Sequence, residues 1–133
     1  MIQVQEEDFD VTEVLKSIRG DSNNIGAIVS FIGLVREFSE DQAIQSMTLE
    51  HYPGMTEKAL TAIEAEAMQR WELIDSIIIH RVGPLSPNER IVFVAAASVH
   101  RKAAFQACEF MIDTLKTRAP FWKKEATAGG RSE

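Results

Sequence analysis

Apolar residues change their period several times along this chain, and each change marks an element. Val11, Val14, Leu15 and Ile18 recur at i, i+3, i+4 and i+7 behind Asp10, a residue suited to cap a helix, and Gly20 ends the pattern. A second helical pattern opens at Thr56, Glu57 and Lys58 and runs to about Trp71, with Leu60, Ile63, Ala67 and Trp71 on one face. The third covers 100–115, where Ala104, Cys108, Ile112 and Leu115 align and Ala103 and Ala107 lie close by. Residues 26–32 form an almost continuous apolar run with β-branched members, short enough for a buried strand. Residues 46–52 alternate instead, with Met47, Leu49 and His51 on one face and Thr48, Glu50 and Tyr52 on the other, until Pro53 and Gly54 stop the strand. Two more strands are predicted at 76–82 and 91–99, paired as a hairpin across a wide, two-proline connection at 83–88. A short edge strand at 2–4 and a last strand at 121–125 complete the set.

The resulting order, β-α-β-β-α-β-β-α-β, mixes hairpin-like neighbours with helical returns and predicts an α+β fold, a mixed or antiparallel sheet covered by helices. Residues 21–24 carry turn chemistry, and Gly33-Leu34-Val35-Arg36 leaves the preceding strand. Residues 37–45 are polar, acidic and aperiodic, which reads as a mobile loop, and 126–133 as a frayed tail. Neither repeats nor a linker interrupt the 133 residues, so one domain spanning 1–133 is expected.

Composition narrows the function classes. The chain is 45% hydrophobic, enough for a sizeable core, yet no apolar run approaches the ~20 residues of a membrane span. Its start lacks the basic region and apolar core of a secretory signal, so a cytoplasmic location is expected. The single cysteine, Cys108, leaves no internal disulfide, and no Cys/His spacing resembles a metal site. A formal charge of -6 argues against broad nucleic-acid binding, which draws its affinity from cations on phosphates.

Against that acidity, residues 115–125 (L-K-T-R-A-P-F-W-K-K-E) hold Lys116, Arg118, Lys123 and Lys124 with no acid before Glu125. Local positive charge on an acidic chain suggests an anion site. Pro120 should end the helix near Thr117, placing Lys116 and Lys123 on either side of one bend. The plainer account is that these cations complement the negative end of the helix. His100 and Arg101 stand where a strand hands over to a helix, so free N–H groups, helix dipole and guanidinium could face one anion, or could merely cap the turn. Arg36 follows Gly33, where backbone can approach a ligand, although a lone loop arginine is usually solvated. His80 lies in an apolar run and reads as a structural histidine, Glu50, His51 and Tyr52 as architectural, and Cys108 as a packed thiol. Neighbouring cations and partial burial lower a lysine's pKa and leave some neutral amine for nucleophilic or proton-transfer work, so lysines 116 and 123 near two arginines would suit an anionic substrate.

L-E-H-Y-P-G-M-T-E-K-A-L at 49–60, I-H-R-V-G at 79–83, H-R at 100–101 and the 115–125 segment, in this order, resemble the catalytic large subunit of molybdopterin synthase, the MoaE family. The resemblance implies an α/β hammerhead fold and a sulfurtransferase of molybdenum cofactor biosynthesis. Its substrate is cyclic pyranopterin monophosphate (precursor Z), which gains two dithiolene sulfurs. It also implies a small ubiquitin-like partner whose C-terminal Gly-Gly thiocarboxylate enters the pocket, a homodimer at the centre of a heterotetramer, and no cofactor or metal.

By motif match, Lys116 and Lys123 take the places of the family's catalytic lysines, and His100 and Arg101 those of a substrate-binding pair. Arg36 matches the arginine of the G-x-V-R turn, Lys124 and Glu125 complete the substrate-contacting run, and Leu34 and Val35 carry over as turn contacts. Leu34 stands where relatives often have Lys, so it implies backbone contact alone. The loop after Arg36 is acidic and lacks a glycine often seen there, and the sequence ends G-G-R-S-E where relatives commonly continue through aromatic and basic residues. Leu34 and the shortened tail keep a second class open, a non-catalytic module whose basic pocket docks another protein's acidic or C-terminal tail.

Overall fold

The computed structural model describes residues 1–19, 22–36 and 44–127. The expected helix stop at Gly20, all but the last two residues of the predicted loop and all but the first two of the predicted tail (that is, 37–43 and 128–133) therefore lie outside the described residues. Among the described residues ten elements follow one another: β1 (Ile2–Gln5), α1 (Val11–Arg19), β2 (Ala27–Leu34), β3 (Ile44–His51), α2 (Met55–Arg70), β4 (Asp75–Arg81), β5 (Gly83–Leu85), β6 (Arg90–Ser98), α3 (Arg101–Arg118) and β7 (Phe121–Thr127). The α+β expectation holds, with two sheets in place of one. A four-stranded mixed sheet has the order β1-β4-β6-β2, its only parallel pair being β1 with β4, and a three-stranded antiparallel sheet has the order β5-β3-β7.

Alternation along the central strands explains how helices cover both faces of the larger sheet. Ile78, Val92, Val94 and Ala96 face α2 and α3, meeting Leu60, Ile63, Ala67, Ala107, Cys108, Met111 and Leu115. Ile77, Ile79, Phe93, Ala95 and Ala97 face the other way, onto Phe9 and α1. A third cluster of Val35, Met47, Leu49, Val82 and Leu85 joins the two sheets and floors the region described below.

Several boundaries differ from the sequence reading for identifiable reasons. β4 and β6 do pair antiparallel, but their connection contains β5, which borrows hydrogen bonds from β3. β2 continues through Gly33 and Leu34, with a register shift between them, so the strand carries the chain up to Arg36. β7 runs to Thr127, two residues into the segment read as tail, because β3 offers it partners from His51 to Ile44. α3 extends to Arg118 and ends as Pro120 requires, with Ala119 extended at ψ 133°. Thr56 opens α2 by a different device from a side-chain cap: its hydroxyl accepts the Tyr52 N–H at 3.1 Å and donates to the Tyr52 carbonyl at 3.0 Å, tying β3 to the helix. Among the described residues no helix is long and apolar enough to cross a membrane.

Candidate active-site cleft

The end of β2 meets the remote α3–β7 bend at one cleft. The end of β2 supplies Phe31 to Arg36 in turn, the last turns of α3 supply Ile112 and Lys116, and β7 supplies Lys123, with Met47, Ile91 and Val92 beneath. Its volume, about 490 Å³, lies within the range of small-molecule sites. Val35 is buried and anchors the turn, whereas Leu34 and Arg36 are exposed, as are Lys116 and Lys123.

Each cation reaches the cleft for a local reason. Lys116 lies on the same side of α3 as Ile112, one turn earlier, whose apolar side chain joins the core cluster. Lys123 is in register with Leu49, and strand pairing puts it on the face that holds Met47 and Phe121. Lys124, in register with Thr48, falls on the opposite face, where Trp122 Nε1–H donates to Glu50 Oε2 at 2.8 Å. Glu125 is a β7 residue in register with Met47. Arg118 turns away and pairs with Glu66 of α2 at 3.3 Å, so it fastens helix to helix.

His100 and Arg101 are not brought to this cleft within one chain. They stand at the opposite end of α3, lining a separate exposed hollow with Gly26, Val99, Lys102, Phe105 and Gln106. Fifteen residues of helix at 1.5 Å each put Arg101 about 22 Å from Lys116 along the axis. His100 is the extended N-cap residue of α3 and makes no side-chain capping bond. Between the two regions runs a groove lined by Val29, Phe31, Phe105, Ile112 and Lys116, in which Phe105 is 61% exposed.

Sequence reasoning did not find the apolar walls Phe31, Ile32, Met47, Ile91 and Ile112, because each reads as an ordinary core or strand position. Among the described residues no three His, Cys, Asp or Glu side chains form a group that could hold a metal. The thiol of Cys108 is buried on α3, 3.7 Å from the Val94 carbonyl, and burial pushes its pKa up to about 11.

The fold and the cleft together define an α+β protein in which one arginine and two lysines line a single cleft. The chain belongs to the MoaE family: the model of that family, the MoaE protein, matches residues 4–118. It is 57% identical over 129 residues to the molybdopterin synthase catalytic subunit of Ralstonia nicotianae, covering 97% of this chain and 73% of that protein. Two solved structures superpose closely. The molybdopterin biosynthesis MoaE protein of Burkholderia ambifaria MC40-6 gives a TM-score of 0.87 at 50% identity, over 99% of this chain and 87% of that one. The molybdopterin synthase of Staphylococcus aureus gives 0.89 at 32% identity, over 98% and 93%. The motif resemblance and the expected fold are thereby borne out.

Proposed function

We propose that this chain is the catalytic subunit of a molybdopterin synthase, a sulfurtransferase acting in the cytoplasm. Sulfur passes from the thiocarboxylated Gly-Gly terminus of a small ubiquitin-like carrier subunit to cyclic pyranopterin monophosphate, building the dithiolene of molybdopterin. The observation that carries this reading is the meeting of Arg36, Lys116 and Lys123 in one cleft of a chain so close to molybdopterin synthase catalytic subunits. Arg36 supplies a planar fork for phosphate oxygens. Lys116 and Lys123 supply ammonium or amine groups beside the carbon that accepts sulfur, for charge stabilisation and proton transfer. The apolar walls leave room for an extended glycine tail and a flat pterin ring. Because the nucleophilic sulfur arrives on the partner, Cys108 has no part in the chemistry.

The reading includes a homodimer in which His100 and Arg101 serve the second copy's cleft. Two features support it. The pair is too far along α3 to reach its own cleft, and the groove between the two regions exposes Phe31 and Phe105. Two central subunits each holding a carrier then make the heterotetramer.

The test combines the protein with thiocarboxylated carrier and precursor Z and looks for the dithiolene product by mass spectrometry. Wild type should turn over. Lys116→Ala and Lys116→Arg should each lose at least about a hundredfold in single-turnover rate, the low end of an acid–base contribution, with the carrier still bound. Arginine stays protonated in proteins, so near-normal rates in Lys116→Arg would reduce Lys116 to a charge clamp. Tight carrier binding without product in the wild type would decide for the non-catalytic docking module.

A further inference from the structure

Arg81 does not line the cleft, yet one of its partners, Glu89, belongs to a turn that is hydrogen-bonded to Val35, the residue before Arg36. It ends β4 with only 6% of its surface exposed. Nε and Nη2 both donate to the Glu6 carbonyl, at 3.0 and 2.9 Å. Nη1 donates to the Arg90 carbonyl at 3.0 Å and to Glu89 Oε1 at 3.3 Å. Removing an acceptor would strand a buried charge, so the geometry around this guanidinium is strongly enforced.

Glu89 transmits that constraint outward. Its Oε2 accepts the Ser86 N–H at 2.6 Å, and its own N–H donates to the Ser86 carbonyl at 3.1 Å, closing the 86–89 turn. Asn88 holds the left-handed conformation at φ 76°, which asparagine tolerates better than most residues. The turn then grips Val35 twice: Val35 N–H donates to the Glu89 carbonyl at 2.9 Å, and Asn88 N–H donates to the Val35 carbonyl at 2.6 Å. These bonds form just beyond the register shift that takes β2 out of its even ladder with β6. Arg36 is the next residue.

We propose that Arg81 and Glu89 are a positioning pair for Arg36, acting through the 86–89 turn and Val35 to set the direction from which its guanidinium meets the substrate phosphate. The inference rests on the reading of the cleft as the phosphopterin site. A bidentate guanidinium–phosphate contact needs two parallel N–H···O bonds, and a displaced backbone loses at least one of them. An exposed arginine on an unanchored strand end would also have to be ordered at the moment of binding, at an entropic cost the clamp removes in advance.

The decisive variants are at Glu89, whose side chain is 40% exposed. Its truncation leaves Arg81 three hydrogen bonds to the Glu6 and Arg90 carbonyls, and Glu89→Gln, which keeps a side-chain acceptor, covers the case in which losing the carboxylate costs stability. Glu89→Ala should weaken binding of cyclic pyranopterin monophosphate about tenfold by calorimetry, the scale of one charged hydrogen bond. KM should rise by a similar factor while kcat stays within about twofold, since a ground-state contact is being lost. Glu89→Gln keeps an acceptor for the Ser86 N–H and should recover most of the loss. In an Arg36→Ala background, Glu89→Ala should add less than about twofold, because the residue it positions is gone. Without any substrate, the backbone heteronuclear NOE of Val35 and Arg36 should fall in Glu89→Ala and return in Glu89→Gln. Equal weakening in both backgrounds, or unchanged NOE values, would overturn the positioning role. A wild-type protein that does not bind the phosphopterin would overturn the functional reading instead, while the NOE comparison would still decide the clamp.

Discussion

His80 is buried near the end of β4, its ring stacked on Phe121 with centroids 3.8 Å apart and planes 16° from parallel. Its Nδ1 lies 2.9 Å from the Arg81 carbonyl, a contact that suits a neutral imidazole donating there. Burial lowers its pKa from 6.5 to about 4, a depression that the Arg81 carbonyl contact only partly offsets. The unfolded chain therefore binds more protons than the native one between those two values. Stability from this site is present above pH 6.5 and is lost as pH falls towards 4, by up to about 3 kcal/mol. Urea unfolding at pH 7 and pH 4 should record that drop, and His80→Leu should flatten it; an undiminished drop in the variant would refute the assignment to His80. The residue lies under Phe121, two positions before Lys123, so its role is to seat β7 rather than to react.

Among the elements, β2 serves both core and cleft, and Gly33 is where the two demands meet. A Cβ there would lie 2.6 Å from Val92 Cγ1 and 3.3 Å from Phe31 Cε1, so only glycine lets β2 run this close to β6 at the register shift. Gly33→Ala should destabilise the fold by about 1–3 kcal/mol, the usual cost of overpacking, and should also displace Leu34 to Arg36. Thermal unfolding and phosphopterin titration should both register the change; a variant with wild-type stability and affinity would show that β2 can shift without consequence. α3 carries a different double duty. It presents Lys116 near one end and His100 with Arg101 at the other, which makes it a ruler of fixed length between two cationic regions.

At the scale of the whole molecule, β2 is an edge strand of the larger sheet and leaves Phe31, Ile32 and Leu34 exposed, with Phe105 of α3 nearby. A long edge strand bearing apolar residues invites pairing unless something covers it. A second copy of the chain is the cover that the proposed dimer supplies. Sedimentation at micromolar concentration, without the carrier subunit, should show a dimer, and Phe105→Glu should shift it towards monomer. A strictly monomeric wild type over that range would remove the basis for sharing His100 and Arg101 between copies.

Local pattern was enough for much of this protein. The three helices, the end of α3 ahead of Pro120, the alternation that puts Met47 and Leu49 inward, and the candidates Arg36, Lys116 and Lys123 were all legible in order along the chain. Periodicity reports which face of an element is buried, and motif order reports ancestry, because both are written in near neighbours. Neither reports what a buried face meets. The division into two sheets, the three-residue strand β5 with its proline, and the extension of β7 to Thr127 depend on hydrogen-bond partners remote in sequence. The same holds for Arg81, an ordinary strand-end arginine by pattern, whose acceptors on Glu6, Glu89 and Arg90 come together only when β1, β4 and β6 align. Tertiary structure alone also decided that Lys123 faces the cleft while Lys124 does not, since the register of β7 on β3 sets which side of the strand is which.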